Sequence, residues 1–325
     1  MIVVRSPLRI TLGGGGTDLK SYYSIDEGFL ISAAIDQYVY ITISEPFNEK
    51  FYLKYSSSEA VEELSNIKHP IIRESLKLIT PEIKKIEISS FADIPSGTGL
   101  GSSGSFTTAL IKGLYSYNNC FIDQGSLAEL ACKIEIEILN DPIGKQDQYI
   151  ASYGGITSFN FKTNGIVEPK PVKLNKDFVN HLNENLLLFF TGFTRKASDI
   201  LKNQDKKSSS RDSEMIKNLD YVKEIGFASL KALHNEDLEE LGNLFHKQWL
   251  LKKQRSNKMS NSKIDEIYNG AIKSGAIGGK LVGAGGGGFL LLVSSDKEKL
   301  RGYMRNSGMK EVFFNFDFEG TKRIL

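Results

Sequence analysis

The chain has 325 residues, enough for two compact lobes or one large domain with a real core. Apolar residues make up 40% and charged residues 25%, an ordinary globular balance, and 41 basic against 39 acidic side chains leave a net charge of +2. Bulk charge therefore argues for neither a nucleic-acid nor an anionic-membrane partner. The two cysteines, Cys120 and Cys132, form no CxxC pair and no Cys/His cluster, which argues against zinc and fits a reducing compartment. Met1–Arg5 has no charged segment leading into a long apolar run, and no apolar run is long enough to span a bilayer. The expectation is a cytoplasmic protein.

In chain order, Ile2–Val4 and Arg9–Leu12 read as short strands around a Ser-Pro break. Gly13–Gly16 and Thr17-Asp18 follow, a backbone free to take unusual angles. Tyr38–Ser44 and Phe51–Tyr55 alternate as half-buried strands do, Val61–Ile79 has helical character, and Lys85–Phe91 alternates again. That strand feeds directly into the glycine-rich run Asp93–Gly104. Phe106, Ala109, Leu110, Leu114 and Tyr117 then recur at helical spacing, as do Leu127, Leu130, Ala131, Ile134 and Ile138.

Ile156–Phe161 reads as another strand, and Leu186–Thr191 as a buried one. Lys202–Ser213 is polar and charged, the composition of a mobile segment. Helices are expected at Glu214–His234, Asp237–Lys252, Ser262–Ser274 and Lys297–Asn306. Gly275–Gly288 holds eight glycines, and strands are expected at Phe289–Ser294 and Val312–Phe318. Hairpins without a steady strand–helix alternation imply an α+β protein of two lobes, residues 1–170 and 171–325.

Pro95–Ser103 has the chemistry of a phosphate-binding loop. Gly97, Gly99 and Gly101 let the main chain approach an anion, and Ser102 and Ser103 open a helix whose N–H groups and dipole favour negative charge. A hydroxyl there can also ligate Mg²⁺, which prefers hard oxygen donors. No Gly-Lys-Ser/Thr follows, so this is not a Walker loop. Gly99–Gly104 fits the dinucleotide pattern GxGxxG, with Asp123 at about the spacing of the acid that pattern requires. A helix follows Asp123 where that fold needs a strand. The bland alternative is a tight strand–helix turn.

Pro95 with Gly99-Leu100-Gly101-Ser102-Ser103 resembles the central motif of the GHMP kinases. Ser6–Ile10 resembles that superfamily's N-terminal motif, and Lys280–Gly288 its C-terminal glycine motif, in the same order. Within it, Arg5–Leu19 and Asp141–Tyr149 are similar to heptose 7-phosphate kinases, and Phe190–Arg195 supports that subgroup more weakly. The resemblance implies a first lobe like the second domain of a ribosomal protein and a ferredoxin-like second lobe. It implies an ATP- and Mg²⁺-dependent sugar kinase. Pro95, Gly97, Gly99, Leu100, Gly101, Ser102, Ser103 and Gly104 would bind the nucleotide.

Helix geometry alone leaves Glu135 and Glu137 as equal candidates, both at the edge of the apolar stripe. The resemblance favours Glu135, with Ser103, as the Mg²⁺ ligand. It casts Asp147 as catalytic base and Arg9 as the cation beside it and the transferred phosphate. Thr17 and Asp18 would meet the sugar, and Gly285 and Gly286 would pack near the substrate. Gly15 and Gly16 stand where galactokinases carry Glu-His, which argues against galactose. Arg195 is a candidate clamp for a phosphate already on the substrate. His69, His181, His234 and His246 are scattered and receive no role. The leading expectation is phosphorylation at O1 of D-glycero-D-manno-heptose 7-phosphate. The alternatives are a kinase for another sugar such as fucose, a non-catalytic ligand sensor on the same fold, and a nicotinamide-dependent dehydrogenase.

Overall fold

A computed structural model of the chain describes residues 1–79, 85–193, 197–256 and 258–325. Among the described residues the strands are β1 (Ile2–Gly14), β2 (Gly28–Ser44), β3 (Phe51–Lys54), β4 (Ser58–Val61), β5 (Glu87–Ala92), β6 (Ile156–Phe161), β7 (Val167–Pro171), β8 (Leu186–Phe190), β9 (Ala276–Leu281), β10 (Phe289–Ser294), β11 (Lys310–Val312) and β12 (Lys322–Arg323). They form two sheets. The first runs β12-β1-β2-β5-β3-β4, with β6 also on β2 and β7 on β6; the second runs β11-β8-β10-β9. The two-lobed α+β fold is as expected.

β1 and β2 position the site. Their antiparallel ladder runs almost end to end, with register shifts after Pro7 and after Thr11. The expected break at Ser6-Pro7 is therefore a bulge in one continuous strand. Proline lacks an N–H, and Pro7 lies beyond the reach of β12, which pairs only with Val4 and Arg5. β2 serves two neighbours: Gly28–Ala33 pairs with β6, and Val39–Ser44 with β5.

Other differences have equally local causes. Val61–Ile79 is not one helix, because Pro70 cannot sit in a helix interior and instead opens the helix Pro70–Ile79. Ahead of it lie β4 and a single 3₁₀ turn, Leu64–Asn66. The polar stretch expected to be mobile forms the helix Ala197–Ser209, whose Gln204 and Ser208 are buried. In Val312–Phe318 only Val312 belongs to a ladder. Phe314 and Phe316 instead enter the core, with one isolated bridge from Phe316 to Ile35.

The main core crosses between the sheets. It joins Leu8, Ile10 and Leu12 of β1 and Ile31 of β2 to Leu186, Phe245, Phe289 and Leu291 of the second lobe. Burying a side chain of this kind contributes about 1.5–3 kcal/mol. The lobes thus share a continuous apolar body, and the cleft between the first lobe's loops and the second lobe's glycines has firm walls. Lys322 and Arg323 return to the first sheet.

Candidate active site

The phosphate loop leaves β5 and enters the helix Ser102–Tyr117. Gly101, at φ +82°, takes the left-handed cap position of that helix, and no side chain caps it. A side chain at Gly101 would also meet Arg9 Cγ at 3.1 Å and Asp147 Cγ at 3.2 Å. The first-turn N–H groups are therefore open toward the cleft, where an anion can take them.

Arg9, on β1, is buried and fixed at both ends. Its Nε donates to Asp147 Oδ1 at 2.8 Å, and its NH1 donates to the Gly99 carbonyl at 2.6 Å. Asp147 stands in the first turn of the helix Gln146–Tyr153, with its side chain 29% exposed to the cleft. Arg9 thus ties the base candidate to the phosphate loop.

A π-helical turn, Lys133–Ile138, follows the helix Gln124–Cys132. Such turns mark functional positions often, because they rotate one side chain out of the regular series. Here the turn buries Glu135 completely and leaves Glu137 exposed. Glu135 accepts a hydrogen bond from Ser103 Oγ and one of 2.9 Å from Gln148 Nε2. Burial, helped by the charge of Asp147, lifts its carboxyl to about 7 against the hydrogen bonds that oppose it. Glu135 and Ser103 present hard oxygen donors beside the open helix terminus. Among the described residues, no group of three or more His, Cys, Asp or Glu could hold a metal by itself. One carboxylate and one hydroxyl suit an ion that brings its other oxygens with it, as Mg²⁺ on a nucleotide does.

Asp18 is buried at the other end of the cleft and accepts from the amides of Gly16 at 2.9 Å and Gln146 at 3.3 Å. Burial first, and Asp147 second, raise its carboxyl above the usual range. A Cβ on Gly144 would lie 1.9 Å from Asp18 Oδ2, so only glycine lets that loop close over the carboxylate. Gln146 Nε2 donates to Thr11 Oγ1 at 2.6 Å and Ser32 Oγ at 3.1 Å, tying this wall to β1 and β2.

Most of these groups border one cleft of about 630 Å³, whereas Glu135 is fully buried and meets it only through Ser103. Arg9, Gly16, Asp18, Pro95, Gly97, Gly99, Gly101, Ser102, Ser103, Gly104 and Asp147 line it, whereas Leu100 does not, being a buried core residue. Thr17 does not line it either: its hydroxyl is exchanged with the backbone N–H and C=O of Phe29 and holds β2. Gly283 and Ala284, not Gly285 and Gly286, border the cleft from the second lobe. Gly285 and Gly286 pack on Met259, while a side chain at Gly283 would strike the Gly99 carbonyl at 2.5 Å. Arg195 lies outside the described residues.

Several lining residues carried no signal in the sequence. Tyr55, Ile71, Phe91 and Phe106 make an apolar end, and His69 stacks on Phe106 with ring centroids 5.0 Å apart. Nothing local distinguishes His69 from the other three histidines. Asp123 accepts from Ser126 N at 2.9 Å as a helix cap, which removes the acid that a dinucleotide fingerprint needs.

The family models for the GHMP kinases N terminal domain and GHMP kinases C terminal match residues 66–155 and 229–308. The D-glycero-alpha-D-manno-heptose 7-phosphate kinase of Campylobacter jejuni is 30% identical, over 99% of this chain and 98% of its own. A galactokinase of Pyrococcus furiosus is 28% identical over 96% of both chains. The crystal structure of a D-glycero-D-manno-heptose 1-phosphate kinase from Bacteriodes thetaiotaomicron superposes with a TM-score of 0.84 at 24% identity, covering 100% of this chain and 99% of that one. No helix among the described residues is long and apolar enough to cross a membrane. With both family models and a full-length relative in agreement, the chain belongs to the GHMP kinases, a family that uses ATP as phosphate donor.

Proposed function

We propose that the protein transfers the γ-phosphoryl group of ATP to a hydroxyl of a phosphorylated sugar, and that the acceptor is O1 of D-glycero-D-manno-heptose 7-phosphate. One observation carries this reading. Arg9, Asp147 and Ser103, the last bonded to the buried Glu135, converge on a single cleft at an uncapped helix terminus. The full-length similarity to a heptose 7-phosphate kinase supports the choice of sugar.

The triphosphate would lie against the N–H groups of Gly101–Gly104, with the base at the apolar Tyr55/His69/Phe106 end. Ser103 and Glu135 would hold Mg²⁺, which when bound screens the phosphate charge. Asp18 accepts hydrogen bonds from ring hydroxyls, which fixes the acceptor. Asp147 Oδ1 is occupied by Arg9, so Oδ2 is the oxygen that takes the proton of the attacking hydroxyl. The sugar oxygen forms the new bond to the γ-phosphorus, the bond to the β-phosphate oxygen breaks, and ADP leaves. Arg9 stays beside the transferred group and balances its charge.

The test is ADP release with Mg²⁺ against heptose 7-phosphate, the unphosphorylated heptose, heptose 1-phosphate, fucose and galactose. Turnover of heptose 7-phosphate well above the rest supports the proposal. Preference for fucose or galactose would replace the acceptor, and turnover of none with tight ATP binding would indicate a ligand sensor.

A further inference from the structure

Behind the acceptor end of the cleft lie cations that the reaction scheme does not use. Arg255 closes the helix Leu238–Gln254 and is buried, with 7% of its surface exposed. Its Nε donates to Asn218 Oδ1 at 2.8 Å and its NH1 to Gln204 Oε1 at 3.3 Å. Both partners are neutral amides. Among the described residues no carboxylate lies within ion-pair distance of it. One turn earlier, Lys252 donates to the carbonyls of Leu281 and Gly283, again without an acidic partner.

Buried charges are normally paired, because taking an ion out of water is costly. Residues three apart on a helix share a face, so Lys252 and Arg255 also repel each other. The arrangement is costly unless an anion completes it.

Its position says which anion. Gly16 lines the cleft, and a side chain there would come within 3.0 Å of Arg255 NH1 and 2.7 Å of Gln204 Nε2. The guanidinium therefore packs directly behind Gly16, and Gly16 itself borders the cleft. Gly16 N also donates to Asp18. A sugar held by Asp18 would thus place one end near Asp147 and another near Arg255. The uncapped helix and Ser103, which serve the nucleotide, lie on a different element. Two phosphate groups can then be bound without sharing a cation.

We infer that Arg255, buried directly behind the cleft-lining Gly16 and held by Gln204 and Asn218, is the specificity-determining residue that receives the phosphate monoester already present on the acceptor sugar, with Lys252 adding positive potential behind it. A guanidinium suits this because it meets two phosphate oxygens at once and is already oriented. The inference rests on the sugar-phosphate reading above.

The experiment compares kcat/KM for heptose 7-phosphate and for the unphosphorylated heptose, with saturating ATP, in the full chain and in Arg255→Gln, Arg255→Lys and Arg195→Ala. Wild type should prefer the phosphorylated acceptor. Arg255→Gln should cut that preference at least tenfold through KM, because a hydrogen bond to a charged group is worth roughly one to two decades. Arg255→Lys should retain part of it, and the KM for ATP should hold within about twofold. If wild type shows no preference, the sugar-phosphate reading fails and this inference with it. If wild type prefers the phosphate and Arg255→Gln keeps that preference, the inference alone fails. Loss of the preference in Arg195→Ala but not in Arg255→Gln would likewise assign the role elsewhere. A parallel loss for both acceptors and ATP would make Arg255 a structural anchor. Should Arg255→Gln not fold, Arg255→Lys carries the same comparison, and an undiminished preference there overturns the bidentate contact.

Discussion

Replacing Gly104 by alanine places a methyl group between two elements that carry the site. The new Cβ would lie 2.8 Å from Asp147 Cβ, 2.9 Å from Asp147 C and 3.0 Å from Gln148 N. Two of these neighbours are backbone atoms in the first turn of Gln146–Tyr153, so no rotamer change relieves them. Ordinary contact begins at 3.4 Å, so the helices must part by about 0.6 Å. Asp147 moves with that turn and away from Arg9, to which it is bonded at 2.8 Å, and Gln148 moves from Glu135, at 2.9 Å. A displacement near 1 Å costs on the order of 10²-fold in rate, so kcat should fall about 10- to 100-fold. Stability should change less. Overpacking costs about 1–3 kcal/mol, while alanine gains about 1 kcal/mol over glycine within a helix. The assay is steady-state turnover beside thermal unfolding of the same preparation. An unchanged kcat in folded Gly104→Ala would refute the idea that this close approach sets the Asp147 geometry.

Asp147→Asn should lower kcat by about 10²- to 10⁴-fold with little change in the KM for ATP, measured by ADP release; a loss under tenfold would assign the proton transfer elsewhere. Glu135→Gln should raise the Mg²⁺ concentration for half-maximal rate, while Glu137→Gln, at an exposed position, should not; the reverse pattern would show that the wrong glutamate had been chosen. The Glu135 carboxyl, lifted by burial to about 7 from 4.5, contributes stability that is complete below pH 4.5 and lost as pH rises through about 7. Metal-free wild type should therefore lose roughly 3 kcal/mol across that window relative to Glu135→Gln, read by denaturant unfolding in EDTA from pH 4.5 to 8, and parallel curves would contradict this. His69→Ala should raise the KM for ATP severalfold and leave that for the sugar alone, since its ring stacks in the apolar end of the cleft.

Much of this site was legible because its chemistry is local. The strand–glycine–serine–helix order of Lys85–Tyr117 can be read directly, and the loop is found between β5 and Ser102–Tyr117. Arg9, Asp18 and Asp147 were legible only through motif resemblance, because ladders and loops far apart in sequence bring them together. The Glu135/Glu137 ambiguity arose from assuming 3.6 residues per turn, and the π-turn breaks that period. Thr17 and Leu100 lie within motifs yet serve packing, since a backbone that turns beside a ligand must also point side chains away from it. Arg255 and Gln204 gave no signal at all. One ends an amphipathic helix and the other sits in a charged stretch, and only the fold sets them behind Gly16.

The pairing of Lys322–Arg323 with Val4 and Arg5 constrains the order of folding. Thr321 also joins Ser6 and Thr108 in a buried cluster of hydroxyls, with Ser6 Oγ 2.7 Å from Thr321 Oγ1 and 2.9 Å from Thr108 Oγ1. The strand that carries Arg9 thus waits, with that edge unpaired, until more than 300 later residues have been made. Domains generally fold in the order in which they leave the ribosome, but here β1 is completed by residues made more than 300 positions later. So long a loop closure predicts slow, late acquisition of the nucleotide site, and a nascent chain stopped before Thr321 that can hold the second sheet without yet binding ATP.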